Sequence, residues 1–179
     1  MGEVTGSFLL GRLLGSRVPG LSLIGTRELS WRQIGNSDVI YLGVSGFVAD
    51  IVKGLPVQPE LSEAPGGISD ARPMQGENGF YGDQLPSGPA GDGEAYALVT
   101  HLPGPAGIGS FATFSSNAAP GRLAAVQYFT DPGHAGTLVE QMKRGSPRIP
   151  DFYQVLLKVD FKDGVPTRTS YVLCHVLHF

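Results

Sequence analysis

Only seven residues, 102–108, separate two short β-leaning runs at 95–101 and 109–115. A parallel crossover needs a dozen residues or more, so the two runs are predicted to pair as an antiparallel hairpin. Both runs are apolar and bounded by Gly and Pro, as buried strands are. The second leads directly into Ser115, Ser116 and Asn117, and then into a helix opening at Pro120 and Gly121. Strand, small polar turn and helix N-terminus make up the unit of an α/β sheet, and such turns are where these sheets bind ligands. The hairpin also sends His101 to the opposite end of the strand pair from Ser115, so no Ser–His couple is expected between them.

The same unit is written a second time. Residues 38–43, DVIYLG, read as a central parallel strand, followed by Val44, Ser45 and Gly46. A helix then pairs Phe47 with Ile51 and Val48 with Val52 at i,i+4, and Gly54 is placed to end it. Upstream, 5–16 is predicted helical on the stripe Leu9, Leu10, Leu13, Leu14, weakened by Gly6, Gly11 and Gly15. Residues 21–25 read as a short strand, and Ser30 with Gln33 has the spacing of a capping box. A helix this close to the first residue lacks the strand that usually precedes it, so the chain is expected to be a fragment of a longer protein.

Downstream, Leu123 and Val126 face inward from the helix that begins at Pro120. Asp131 and Pro132 read as N-cap and first helical residue. Ala135, Leu138, Val139 and Met142 repeat at helical spacing before Gly145 closes the segment. A strand at 152–161 returns through an Asp163-Gly164 hairpin turn to a strand at 166–177. The pattern predicts one α/β domain over 1–179. Its mixed parallel and antiparallel sheet has strands at 38–43, 95–101, 109–115, 152–161 and 166–177, with helices on its faces as a Rossmann-like three-layer sandwich.

Between these parts the texture changes. Of the 40 residues from 54 to 93, 15 are Gly or Pro. This excursion is predicted to be the least regular and most mobile part of the chain, with one strand expected near 67–72 and Phe80 and Tyr81 as its anchors.

Thirteen basic and sixteen acidic residues give a net charge of −3 without runs of either sign, so no direct nucleic-acid contact is expected. Cys174 is the sole cysteine and reads as an inert thiol in an apolar strand. No run reaches transmembrane length and no targeting signal is present, which makes a cytoplasmic protein without membrane contact the expectation.

Chemical motifs are sparse. His175 and His178 stand three apart on a strand, which sends them to opposite faces, and no metal or other cofactor is expected. The nucleophile-elbow pattern and both phosphate-binding glycine loops are missing. What remains is the pair of turns, each entering a helix whose free N–H groups favour an anion. If their strands run parallel, Ser45, Gly46, Ser115, Ser116, Asn117, Gly121 and Arg122 line one crevice. The leading reading is a regulatory or sensory module for a small, anionic ligand. A protein–protein interaction domain without a small ligand is the alternative, and a hydrolase using Ser115 or Ser116 the second alternative.

The succession WRQIGNSDVIYLG, YALVTHLPGPAGIGSFATFSSNAAPGRLAAVQYFTDP and FYQVLLKVDFKDGVPTRTSYVL resembles an uncharacterised α/β region found behind winged-helix DNA-binding domains in some bacterial proteins. The resemblance implies a regulatory module attached to a DNA-binding domain in a longer parent chain, with no catalytic residues to carry over. This chain departs from that pattern at Val44, Ser45, Gly46 and Phe47, where those regions tend to carry Asn and Trp.

Overall fold

The computed structural model describes residues 2–28, 31–44, 46–88, 90–143 and 148–178; at 27, 31, 47, 48 and 106 only the backbone is described. Ser45 of the predicted crevice, Ser30 of the capping box and Gly145 lie outside the described residues, as do the side chains of Phe47 and Val48. In chain order the elements are α1 (Gly2–Leu14), α2 (Trp31–Ile34), β1 (Val39–Leu42), α3 (Gly46–Lys53), β2 (Leu61–Ala64), β3 (Gly67–Asp70) and β4 (Phe80–Gly82). They continue with β5 (Asp92–Pro103), β6 (Ser110–Ser115), α4 (Ala119–Thr130), α5 (Pro132–Met142), β7 (Tyr153–Lys162) and β8 (Val165–Val176).

A five-stranded mixed sheet has the order β1-β6-β5-β7-β8. β5 and β6 form the antiparallel hairpin that the short link requires, with Leu98 opposite Ser115 and His101 opposite Ala112. β1 runs parallel to β6, Val39 opposite Phe111. Asp38 fixes that register, because its Oδ1 accepts from both the backbone N–H and the hydroxyl of Ser110 at 2.8 and 2.9 Å. β1 is an edge strand, not a central one. Its apolar run is shared between two half-covered faces, and Ile40 stays 42% exposed. At the other hairpin, Asp163 (φ 51°) and Gly164 (φ 76°) supply the two left-handed residues of a type I′ turn.

Alternation along the strands separates two cores. Ala97, Val99, Phe114, Val155, Leu157 and Val159 meet Ala124, Ala125, Val126, Leu138 and Met142 of α4 and α5. Asp131 caps α5 as expected, its Oδ1 accepting from His134 N at 2.9 Å. α1 joins this face through its glycines. A Cβ at Gly2 would lie 2.6 Å from Ala119 O, and one at Gly6 3.3 Å from Val126. Small residues thus let α1 and α4 approach closely. Residues 21–25 form no strand, and Leu23 is 83% exposed.

The opposite face corrects the irregularity expected of 54–93, where the strand read near 67–72 is β3 and has partners on both sides. This stretch carries a second sheet, β2-β3-β4, antiparallel throughout. Leu61, Ile68 and Tyr81 from it pack on Leu98, Leu156 and Leu173, while Phe80 is half exposed. Beside it, Ile34 of α2 and Ile51 of α3 cover Phe111. The docking is fixed by Gln154, which is fully buried. Its Oε1 accepts from the backbone N–H of Glu60 and Leu61 at 2.7 and 2.8 Å. Its Nε2 donates to Leu61 O at 2.7 Å and to Thr100 Oγ1 at 3.1 Å. Both donors and both acceptor sites of the amide are therefore used.

Candidate functional site

Because β1 and β6 are parallel and adjacent, their C-terminal ends lie together. Gly43 N donates to Phe114 O at 3.3 Å, carrying the pairing past the last residue of β1. The helices that follow leave on opposite faces, since α3 packs over Phe111 and α4 over Phe114. Two parallel strands whose helices diverge make the crevice at which open α/β sheets bind ligands. Gly46 forms one lip, exposed, with no atom within 4 Å of where a Cβ would stand. Ser115, Ser116 and Asn117 form the other.

Most polar groups of that second lip are occupied within the protein. Ser115 is buried and its hydroxyl donates to Leu98 O at 3.4 Å. Ser116 Oγ donates to Tyr96 O at 2.7 Å and accepts from Ala118 N at 3.2 Å. Gly121 presses against Ser116, and a Cβ there would lie 2.8 Å from Ser116 Cβ. Asn117 Nδ2 faces three acceptors, Ala64 O, Gly67 O and Asp83 Oδ2, at 3.0 to 3.1 Å. Asn117 thus ties the end of β6 to the small sheet.

Arg122, expected to line the crevice, lies between the Ser116 turn and α1. Its Nη1 donates to Ser116 O at 2.6 Å and its Nη2 pairs with Glu3 Oε1 at 2.7 Å. Its Nε is buried without a hydrogen-bond partner. Tyr41, on β1, donates its hydroxyl to Val44 O at 3.1 Å. Burial, and then the Glu63 carboxylate, raise the pKa of that phenol.

The Glu3 carboxyl is held below the usual range, first by a hydrogen bond from its own backbone and, against partial burial, by Arg122. A lowered carboxylate stabilises the fold above its unfolded pKa of about 4.3, and that contribution is lost as pH falls through the folded value. Glu3 is 40% exposed, so solvent screens the pair and the effect should stay local. The protection of amides in the first turns of α1, taken relative to their intrinsic exchange rates, is expected to fall below about pH 4. In Glu3→Gln that protection should already be low at neutral pH and should fall no further on acidification.

A second polar centre lies on the face that carries the small sheet. His175 of β8 is 1% exposed and stands among three carboxylates. Its Nε2 is 2.9 Å from Glu77 Oε2 and 3.6 Å from Asp70 Oδ2. Its Nδ1 is 2.8 Å from Glu60 Oε2, an ion-pair distance, although the ring N–H is not aimed along it and forms no hydrogen bond. Asp70 Oδ1 accepts from Arg72 N at 2.8 Å, while its Oδ2 is buried without a hydrogen-bond partner. No spacing along the chain points to this group, whose members come from the end of β3, from two loops and from the last strand. The one local signal was period-two burial of Leu173, His175 and Leu177, which places the imidazole inside.

Two surface concavities lie away from both centres. One is lined by Glu94, Asp160, Phe161 and Lys162, the other by Met142, Phe152, Tyr171 and Cys174. Burial pushes the Cys174 thiol up to about 11, which keeps it in the protonated form at neutral pH. Among the described residues no helix is long and apolar enough to cross a membrane. The chain matches no protein-family model, and neither curated proteins nor solved structures give a match.

Proposed function

We propose that this domain is a regulatory module that binds a small anion, such as a phosphorylated metabolite or a dicarboxylate, in the crevice between β1 and β6. The observation that carries this reading is Arg122. A guanidinium with a buried, unpartnered Nε sits at the opening of α4, where two parallel strands end and their helices diverge. Glu3 is then the internal stand-in for the ligand, its carboxylate resting where an incoming anion would pair with Arg122. In this reading β1–α3 and β6–α4 act as a Rossmann-like pair, with the small sheet and the two helix groups as outer layers. A DNA-binding domain elsewhere in a longer parent chain would receive the signal, in keeping with the resemblance to regions behind winged-helix domains.

Thermal-shift titration with inorganic phosphate, pyrophosphate, nucleotides, sugar phosphates and dicarboxylates tests the reading. A bound anion raises the melting temperature by mass action on the native state. Arg122→Gln removes a charge-assisted contact worth about 1.5–3 kcal/mol, so binding should weaken roughly ten- to a hundred-fold. Glu3→Gln should strengthen it by removing the competitor. Gly46→Val should block the backbone approach while leaving the fold intact, because the space there is open. Indifference to every anion, or a response that ignores Arg122→Gln, would contradict the proposal.

One observation favours the interaction domain as a second reading. Val4 and Phe8, one helical turn apart on α1, are 76% and 67% exposed. That reading predicts concentration-dependent association lost in Val4→Ser/Phe8→Ser, with no anion response. The hydrolase alternative gains nothing from the geometry, since both serine hydroxyls donate to backbone carbonyls from buried positions.

A further inference from the structure

The group around His175 carries more negative charge than the protein supplies counter-charge for. Glu60, Asp70 and Glu77 converge on one imidazole that can bring at most a single positive charge. Arg72 Nη1 lies 3.5 Å from Glu60 Oε1, but that side chain is 79% exposed and reaches only the rim. Inside, the Asp70 side chain is fully buried and its Oδ2 lacks a hydrogen-bond partner. A buried carboxylate oxygen without a donor is costly, and a cation is the ordinary remedy.

The spacing fits one ion. The ligating atoms of Asp70, Glu77 and His175 all lie within 4.8 Å of one another. Two ligands that each stand about 2.0–2.2 Å from a shared ion are separated by some 3–4 Å, as His175 Nε2 is from Glu77 and Asp70. Glu60 on the far ring nitrogen is placed as the outer carboxylate that orients a metal-bound histidine through its free N–H. A slight rotation of the ring would aim that N–H at Glu60. Calcium and magnesium favour all-oxygen shells, whereas an imidazole with two carboxylates suits borderline transition ions.

We infer that Asp70, Glu77 and His175 form a binding site for a first-row divalent cation of the zinc or manganese type, with Glu60 as the residue that positions the imidazole. The carboxylates all belong to the 60–77 stretch and the imidazole to β8. A bound ion therefore clasps the small sheet to the edge of the main one, at a distance from Arg122 and independent of anion binding there.

Titration calorimetry with Zn²⁺, and the visible spectrum of the Co²⁺ form, test the site on the whole chain. One equivalent of Zn²⁺ should bind, and Co²⁺ should show d–d bands without a thiolate charge-transfer band. Glu77 lies in a loop, where its Oε2 also accepts from Met74 N at 2.8 Å, and Glu77→Gln removes the charge while keeping an acceptor oxygen for that bond. It should weaken Zn²⁺ binding at least tenfold or so, and Glu60→Gln by about ten- to a hundred-fold. Amide exchange should slow in 60–82 when Zn²⁺ is added and remain unchanged in α4. Absence of saturable binding of both ions would overturn the inference. So would binding that persists undiminished in Glu77→Gln and in Asp70→Asn, which would place the ion on surface histidines instead.

Discussion

Replacing Gln154 by leucine is expected to destabilise the domain by about 3–5 kcal/mol and to free the small sheet before the rest unfolds. Leucine has a similar volume, so the loss is not one of packing. It strips partners from the N–H groups of Glu60 and Leu61 and from Leu61 O, all close to a buried strand start. Each orphaned buried group costs about 1–3 kcal/mol. For a chain of this size the melting temperature should fall by roughly 2–4 °C per kcal/mol, about 6–20 °C in all. Hydrogen exchange supplies the finer test. Amides in 61–82 should lose protection well ahead of those in β5 and β7. Simultaneous loss throughout the chain, or an unchanged melting point, would show that Gln154 is not the pin that holds the two sheets together.

Gly121→Val should cost about 2–3 kcal/mol or more, through overpacking at the opening of α4. The added Cβ would stand 2.8 Å from Ser116 Cβ and closer still to its hydroxyl, which is already held by Tyr96 O. Gly121→Ala offers a stricter version. A helical Gly→Ala change normally gains close to 1 kcal/mol, so a net loss measured by urea unfolding isolates the contact with Ser116. Gly46→Val is the matched control, because nothing lies within 4 Å of its Cβ position. Equal effects at the two glycines would contradict the packing account.

The features legible in the sequence were those set by local chemistry. A link of seven residues forced β5 and β6 antiparallel, Asp163-Gly164 demanded its turn, and Asp131 with Pro132 started α5. Of the small sheet only β3 was legible, as a strand near 67–72, and the rest was opaque for a physical reason. Its strands have three or four residues and bury few large side chains, chiefly Leu61, Ile68 and Tyr81, too few for any period to emerge. Their order comes from Gln154 and Asn117, about 93 and 50 residues away in the chain. Gly and Pro in that stretch signalled turns between short strands, and were read as irregularity. The edge position of β1 was likewise invisible, because apolar content does not distinguish an edge strand from a central one.

The candidate sites divide along the same line. The sequence placed the two small turns before their helices, and the structure brings the ends of β1 and β6 side by side. It could not show that Ser116 is tied to Tyr96 and Ala118, that Asn117 braces a second sheet, or that Glu3 reaches Arg122. The carboxylates around His175 are separated from it by about 98 to 115 positions, beyond any motif. Such groups are created by topology, and only the docked sheet assembles them.

The most direct test of the central proposal is amide chemical-shift mapping by ¹H–¹⁵N NMR during titration with pyrophosphate and with whichever anion gives the largest thermal shift. The account predicts saturable perturbations at Gly46, at Ser116 through Arg122 and at Glu3, abolished by Arg122→Gln. Saturable shifts confined to the concavity of Glu94, Asp160 and Lys162, or to that of Phe152, Tyr171 and Cys174, would contradict it.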